Sequence, residues 1–287
     1  MFIASHNKSF TMKTILVPTD FSETAKNAAL YAVNFAQQMK SNRIILFNAY
    51  QAPPVVDVNM ALVETVDIEQ LKKNSEENLE KFIQQLKPLC DGIDLIAISD
   101  YGTVALDINE VCAANKADVI VMGVTGAGKL AETLIGSYAV DVSRIAEVPV
   151  IIVPPGAVYT AIEEVMLACD FTKVAETTPV HAIMQLLDET GAKLFVVNVD
   201  HNNRKFSPDT PFETYMLNTL LKGYNPEYHF LDDPDFVGAI NRIAIEKQVD
   251  LIITIPKKMG WFDQLFKRSH TTMLAYHSHV PLMVVHE

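Results

Sequence analysis

The chain has 287 residues, 49% of them hydrophobic and 20% charged, enough apolar material for one large or two ordinary domains and too much for a largely disordered chain. Lys and Arg number 23 against 35 Asp and Glu, a net charge of −12, and the excess is even: 12 against 18 in residues 1–155 and 11 against 17 in residues 156–287. Acidity spread in this way argues against a nucleic-acid or anionic-membrane footprint.

In chain order, residues 1–11 read as an extension or an upstream start, without the apolar run of a signal peptide, and no stretch approaches the roughly 20 apolar residues of a membrane span. Short β-branched or apolar runs follow at Thr14–Val17, Arg43–Phe47, Ile93–Ile98, Val119–Met122 and Val150–Val153. Between them, helices are expected over about 23–39, 66–87, 103–115 and 137–146; the second is amphipathic through Ile68, Leu71, Leu79, Phe82, Ile83 and Leu86 and closed by Pro88 and Gly92. Strands alternating with helices specify a parallel sheet covered on both faces. After Pro154-Pro155-Gly156 the order recurs: strand Glu164–Cys169, helix 173–189, strand Lys193–Val199, a loop with Pro208 and Pro211, a shorter helix to Leu221, strand Tyr228–Leu231, helix 235–247, strand Leu251–Ile255, helix 268–277 and strand Leu282–Val285.

This is one unit written twice. Asp20-Phe21-Ser22 recurs as Asp170-Phe171-Thr172, and Ala117-Asp118-Val119-Ile120 recurs as Val249-Asp250-Leu251-Ile252; the second offset also carries Val148-Pro149-Val150 onto Val280-Pro281-Leu282. The expected organisation is an extension (1–11), a first domain (12–155) and a second domain (160–287). Cys90, Cys112 and Cys169, odd in number and widely spaced, read as reduced thiols of a cytoplasmic protein.

In the first copy, the strand Val119–Met122 runs into Gly123-Val124-Thr125-Gly126, and Gly136-Ser137 opens the helix that follows. Glycines at the C-terminal end of a strand let a ligand approach the backbone, and a helix N-terminus offers free amides to a phosphate, to which Ser137 adds a hydroxyl. Asp20 follows the first strand. With a strand order of 3-2-1-4-5, strands one and four meet at the switch point, and Asp20 and Gly123 share its crevice. The Asp20 carboxylate then accepts ribose hydroxyls or an adenine edge, or caps the helix that begins near Ser22. Gly123 to Lys129 also fits the G-x4-G-K of a P-loop, but Leu130 stands where the metal-binding Ser or Thr belongs, which argues against that reading.

With Pro18-Thr19-Asp20, Gly123-x2-Gly126-x9-Gly136-Ser137 and the closing Val148-Pro149-Val150-Ile151-Ile152-Val153, the chain resembles the universal stress protein family, as two tandem copies. The resemblance implies two doubly wound five-stranded parallel sheets, Rossmann-like and akin to the adenine nucleotide alpha hydrolases. In the family's ATP-binding branch it implies one ATP, with or without magnesium. Its triphosphate lies over Gly126, Gly136 and Ser137 and its adenosine near Thr19, Asp20 and Met122, with Pro18 and Gly123 beside them and an apolar contact at Ala49. It also implies pairing through the fifth strand, here between Val150–Val153 and Leu282–Val285 of one chain, joined by the linker Pro154–Thr160; a homodimer of such chains remains compatible with this.

The second copy departs from the motif: Ile255, Lys258 and Arg268 stand where Gly123, Gly126 and Gly136 stand, and Ser269 where Ser137 stands. Side chains fill the room a phosphate needs, so Asp170 reads as a relic or a helix cap. His277-x-His279, beside His270 and His286, has the spacing of a zinc pair in an extended chain, but capping or solvated roles explain these residues with fewer demands. Trp261-Phe262 and Leu265-Phe266 read as core or as a partner surface. No hydrolytic triad is present. The expected function is a nucleotide-responsive regulator or module for an unidentified protein partner; a nucleotide-independent interaction protein and a slow ATPase are the alternatives.

Overall fold

A computed structural model describes residues 12–52, 67–124, 137–203, 206–255 and 280–286. The expected helix 268–277, the histidines His270, His277 and His279, the aromatic pairs at 261–262 and 265–266, and Gly126, Lys129, Gly136, Lys258, Arg268 and Ser269 lie outside these residues.

The apolar runs become strands because alternate residues can be buried on both faces of the sheet. The first half contains β1 (Thr14–Pro18), β2 (Arg43–Tyr50), β3 (Asp94–Tyr101), β4 (Val119–Gly123) and β5 (Val150–Val153); the second contains β6 (Glu164–Ala168), β7 (Lys193–Val199), β8 (Glu227–Leu231), β9 (Leu251–Thr254) and β10 (Leu282–Val284). The helices are α1 (Glu23–Gln38), α2 (Ile68–Leu86), α3 (Val104–Asn115), α4 (Ser137–Ile145), α5 (Val174–Thr177), α6 (Val180–Thr190), α7 (Thr210–Leu220) and α8 (Phe236–Glu246). Gly92 ends the α2 region at φ +71°, a conformation glycine adopts without strain.

One expected helix is two. The chain breaks at Thr178-Pro179, and α6 begins at Val180. Proline lacks the N–H that a continuous helix needs and clashes with the preceding turn.

The strand order is β3-β2-β1-β4-β5-β10-β9-β6-β7-β8. Each half has the order 3-2-1-4-5, and the two fuse into one ten-stranded sheet because β5 and β10 pair antiparallel, Leu282 with Ile152, Met283 with Ile151 and Val284 with Val150. All other pairs are parallel. The joint buries a strand edge that each half would otherwise expose as a pairing template. Side chains alternate across it. Ile151, Val153, Met283 and Val285 enter the core under α1, α2, α6 and α7, while Val150, Ile152, Leu282 and Val284 enter the core under α3, α4 and α8. Both cores therefore run through both halves.

The repeat extends to its hydrogen bonds. Asp118 Oδ2 accepts from Lys13 N–H and Thr14 N–H at 2.8 and 2.9 Å, and Asp250 Oδ2 accepts from Glu163 N–H and Glu164 N–H at 2.9 and 3.0 Å. Each aspartate ties the entry of its fourth strand to that of its first. The linker lies along α1. Asn27 Nδ2 donates to Pro154 O and Ala157 O, Gln38 brackets Ile162 through both its N–H and its carbonyl, and Tyr159 donates to Gln38 Oε1 while its ring meets Tyr31 edge-on at 4.9 Å. At the far end of the joint, His286 Nε2–H donates to Ser143 O of α4 at 2.8 Å, a capping role that crosses from one half to the other.

Candidate functional site

The turn after β1 is built from side chains that satisfy its backbone. Thr19 N–H donates to Phe47 O at 2.8 Å, Phe21 N–H to Thr19 Oγ1 at 3.0 Å, and Ser22 N–H to Asp20 Oδ1 at 3.0 Å. Phe21 lies at φ +64°, so the turn depends on these bonds to hold a conformation a bulky residue disfavours. The helix cap is Ser22, whose Oγ accepts from Ala25 N–H at 3.3 Å. The capping reading of Asp20 is thereby corrected: Asp20 braces the turn before the cap, and the residue stays exposed. Asp170 likewise accepts from Thr172 N–H at 3.0 Å and does not cap α5, whose N-cap position is Lys173 without a side-chain bond.

At the C-terminal ends of β1 and β4, which pair at Ile15–Val119 and Leu16–Ile120, lies a cleft of about 190 Å³. Pro18, Thr19 and Asp20 come from the end of β1 and Ala25 from α1; Asn48, Ala49 and Gln51 from the end of β2; Gly102, Thr103 and Val104 from the turn into α3; Met122 and Gly123 from β4; and Tyr138 from the first turn of α4. Six sequence-derived candidates, Pro18, Thr19, Asp20, Ala49, Met122 and Gly123, thus meet at one cleft. Ser137 opens α4 next to Tyr138. A helix N-terminus beside a cleft presents unpaired N–H groups to it.

Pro18, Ala49, Val104 and Met122 are apolar, and Asp20 is the one formal charge among the described lining residues. An apolar wall with a few convergent polar groups suits a small planar ligand carrying hydroxyls. Sequence reasoning missed Asn48, Gln51, Tyr138 and the Gly102-Thr103-Val104 turn, where Asp107 Oδ2 accepts from Thr103 N–H at 2.9 Å. One signal could have found Asn48: Asn198 repeats it at the same 150-residue offset that links Asp20 to Asp170.

Gly123 has a reason beyond any ligand. A Cβ there would lie 2.5 Å from Thr24 O and 2.8 Å from Thr24 C, so the residue must be small for the first turn of α1 to seat on β4. In the second half its counterpart Ile255 is buried in the core with Phe171 and Val174.

The cysteines are free thiols, and burial, with help from Glu147, pushes the Cys112 thiol up to about 12. Among the described residues no group of three or more His, Cys, Asp or Glu could hold a metal ion, and no helix is long and apolar enough to cross a membrane.

The Universal stress protein family profile matches residues 11–154 and again 162–286. Two universal stress proteins of Methanocaldococcus jannaschii are similar to this chain, one 30% identical over 141 residues and the other 31% identical over 157. These matches cover 49% and 50% of this chain and 81% and 96% of theirs, so each relative corresponds to about one half. A universal stress protein from Archaeoglobus fulgidus superposes on the whole chain with a TM-score of 0.69 at 21% identity, 97% of each chain being covered, a likeness of fold. With both halves matched and the duplicated 3-2-1-4-5 sheet in place, the chain belongs to the universal stress protein family, as a tandem member.

Proposed function

We propose that the first half binds ATP in the cleft at the ends of β1 and β4 and that the chain is a nucleotide-responsive regulator acting on a protein partner in the cytoplasm. The observation that carries this reading is the convergence of Pro18-Thr19-Asp20, Ala49 and Met122-Gly123, three separate segments, on one cleft beside the start of α4.

The described residues fit a nucleoside. Asp20 presents a carboxylate that accepts ribose hydroxyls, Gln51 offers an amide, and Ala49, Val104 and Met122 form apolar walls for a base. Gly126, Gly136 and Ser137 are assigned to the triphosphate, with or without magnesium. What ATP would supply when bound is the negative charge of its phosphates and the hydroxyls of its ribose. The chain's own contribution is to orient the nucleoside through Asp20 and to seat it against Met122. We assign it binding rather than turnover.

Mass spectrometry of nucleotide released from freshly purified protein, followed by calorimetric titration with ATP, tests the reading. ATP should co-purify or bind, and Asp20→Ala should weaken it by roughly tenfold or more, the worth of a charged hydrogen bond. Protein that holds no nucleotide and shows no heat with millimolar ATP overturns it. Gly126→Val and Gly136→Arg should abolish binding in a chain that still folds.

A further inference from the structure

The two halves hold the turn after their first strand with the same strap. In the first, Asn48 Nδ2 donates to Thr19 O at 2.7 Å; in the second, Asn198 Nδ2 donates to Cys169 O at 2.8 Å. Both turns carry an aspartate accepting from the residue two positions on, and both place a phenylalanine in the left-handed region, Phe21 at +64° and Phe171 at +50°. The strap is therefore part of the scaffold.

What differs is its anchor. In the first half, Ser75 Oγ of α2 donates to Asn48 Oδ1 at 2.7 Å, and Ser99 Oγ of β3 donates to Ser75 Oγ at 2.7 Å. Asn48 and Ser75 are buried, and a buried amide bonded at both ends cannot turn without stranding a polar group. In the second half, the residue paired with Asn198 across the sheet is Phe230, where the first half pairs Asn48 with Ser99. The Phe230 ring stacks on Phe171 at 5.5 Å and on Tyr228 at 6.5 Å, and α7 packs against α5. Among the described residues, a serine anchor of this kind holds the asparagine of the half in which the cleft is found, and Asn198 has none. Were the anchor needed merely to fold this unit, the second half would need it as well.

We propose that Ser75 and Ser99 are positioning residues for the nucleotide: acting through Asn48, they hold the Thr19 carbonyl and so aim the Asp20 turn into the cleft. This rests on the reading of the cleft as an ATP site. Neither serine lines the cleft, whereas Asn48 does, so the serines separate positioning from contact.

The test is calorimetric ATP titration of the full chain, with the urea midpoint measured beside it. Wild type is titrated first; if it binds no ATP, the nucleotide reading falls and this inference falls with it, before any variant is read. Ser75→Ala and Ser99→Ala should each weaken ATP by roughly tenfold, the worth of one buried hydrogen bond, while Ser99→Thr, which keeps the hydroxyl, retains wild-type affinity. In an Asn48→Ala background, Ser75→Ala should bring no further loss of affinity. Asn198→Ala is the control: it cuts the equivalent strap, lowers the urea midpoint and leaves ATP affinity unchanged. Wild-type affinity in Ser75→Ala and Ser99→Ala overturns the proposal while leaving the ATP site standing, and so does an equal loss in Asn198→Ala, which would make the effect one of general stability.

Discussion

Gly123→Ala separates the two reasons a glycine can stand at the end of β4. A methyl group there would meet Thr24 O at 2.5 Å, Thr24 C at 2.8 Å and Ala25 N at 3.3 Å, all backbone atoms of the α1 first turn. Ordinary carbon contacts begin near 3.5 Å, so that turn must retreat by about 1 Å. It is poorly placed to do so. Ser22 caps it, Asn27 ties it to Pro154 and Ala157, and Ala25, Ala28 and Ala29 are buried beneath it. Overpacking of this kind costs about 1–3 kcal/mol, and a weakened cap adds about 1 kcal/mol. We therefore expect Gly123→Ala to lose about 2–3 kcal/mol of stability in urea titrations followed by circular dichroism. Ile255→Gly, at the corresponding place in the second half, should lose about 3 kcal/mol for the opposite reason, an opened cavity. A Gly123→Ala protein within about 0.5 kcal/mol of wild type would refute the packing argument, since that is the range of an ordinary surface change.

Three further outcomes follow from single contacts. Burial holds His286 below its ordinary 6.5, with Nε2–H on Ser143 O and Nδ1 buried without a partner; below about pH 7 the unfolded chain takes up a proton that the folded chain refuses. Stability should then fall with pH by up to about 1.4 kcal/mol per unit, and His286→Gln should flatten that slope between pH 7 and 5; parallel profiles would contradict it. Asp118→Ala and Asp250→Ala each remove an acceptor of two backbone N–H groups and should each destabilise by about 2 kcal/mol in denaturant titrations, Asp250→Ala somewhat more because Asp250 Oδ1 also accepts from Thr160 Oγ1; a loss within about 0.5 kcal/mol of wild type in either would count against these ties. Met283→Lys puts a charge at the centre of the β5–β10 joint, opposite Ile151, and should cost about 3–5 kcal/mol and raise the sedimentation-derived frictional ratio as the halves part; an unchanged ratio and midpoint would show that the joint does not hold them.

The strands were legible because each is a short apolar run closed by polar or turn residues, and the duplication made each reading in one half a check on the other. The break at Pro179 was missed because Val180, Ile183, Leu186 and Leu187 continue an apolar helical pattern to which a single proline adds only a local exception. Asp20 and Met122 could be placed from the strand order alone, since the ends of neighbouring parallel strands must lie side by side. Asn48 had a trace in its repeat at Asn198, but Ser75 and Ser99 had none: polar residues on separate elements have no shared spacing, and only the folded chain sets Ser75 2.7 Å from both Asn48 and Ser99. Gly123 was legible as a glycine that matters, but its close neighbour is the helix backbone, which no linear motif reveals.

The second half's divergence is a repacking as much as a lost motif. Ser99 faces Asn48 where Phe230 faces Asn198, and Gly123 ends β4 where Ile255 follows β9. Both changes run from small to large. In the first half, small residues let α2 and α1 seat closely on the sheet and leave the cleft at the ends of β1 and β4; in the second, Phe230 stacks on Phe171, and Ile255 joins the core beside it. Because β5 and β10 run antiparallel, the strand ends that form the cleft point the opposite way from their counterparts across the joint. Two connections link the cleft to the second half: α1, with Ala25 on the cleft at one end and Gln38 on the linker at the other, and the sheet itself, where Met122 of the cleft pairs with Ile152 and Ile152 with Leu282.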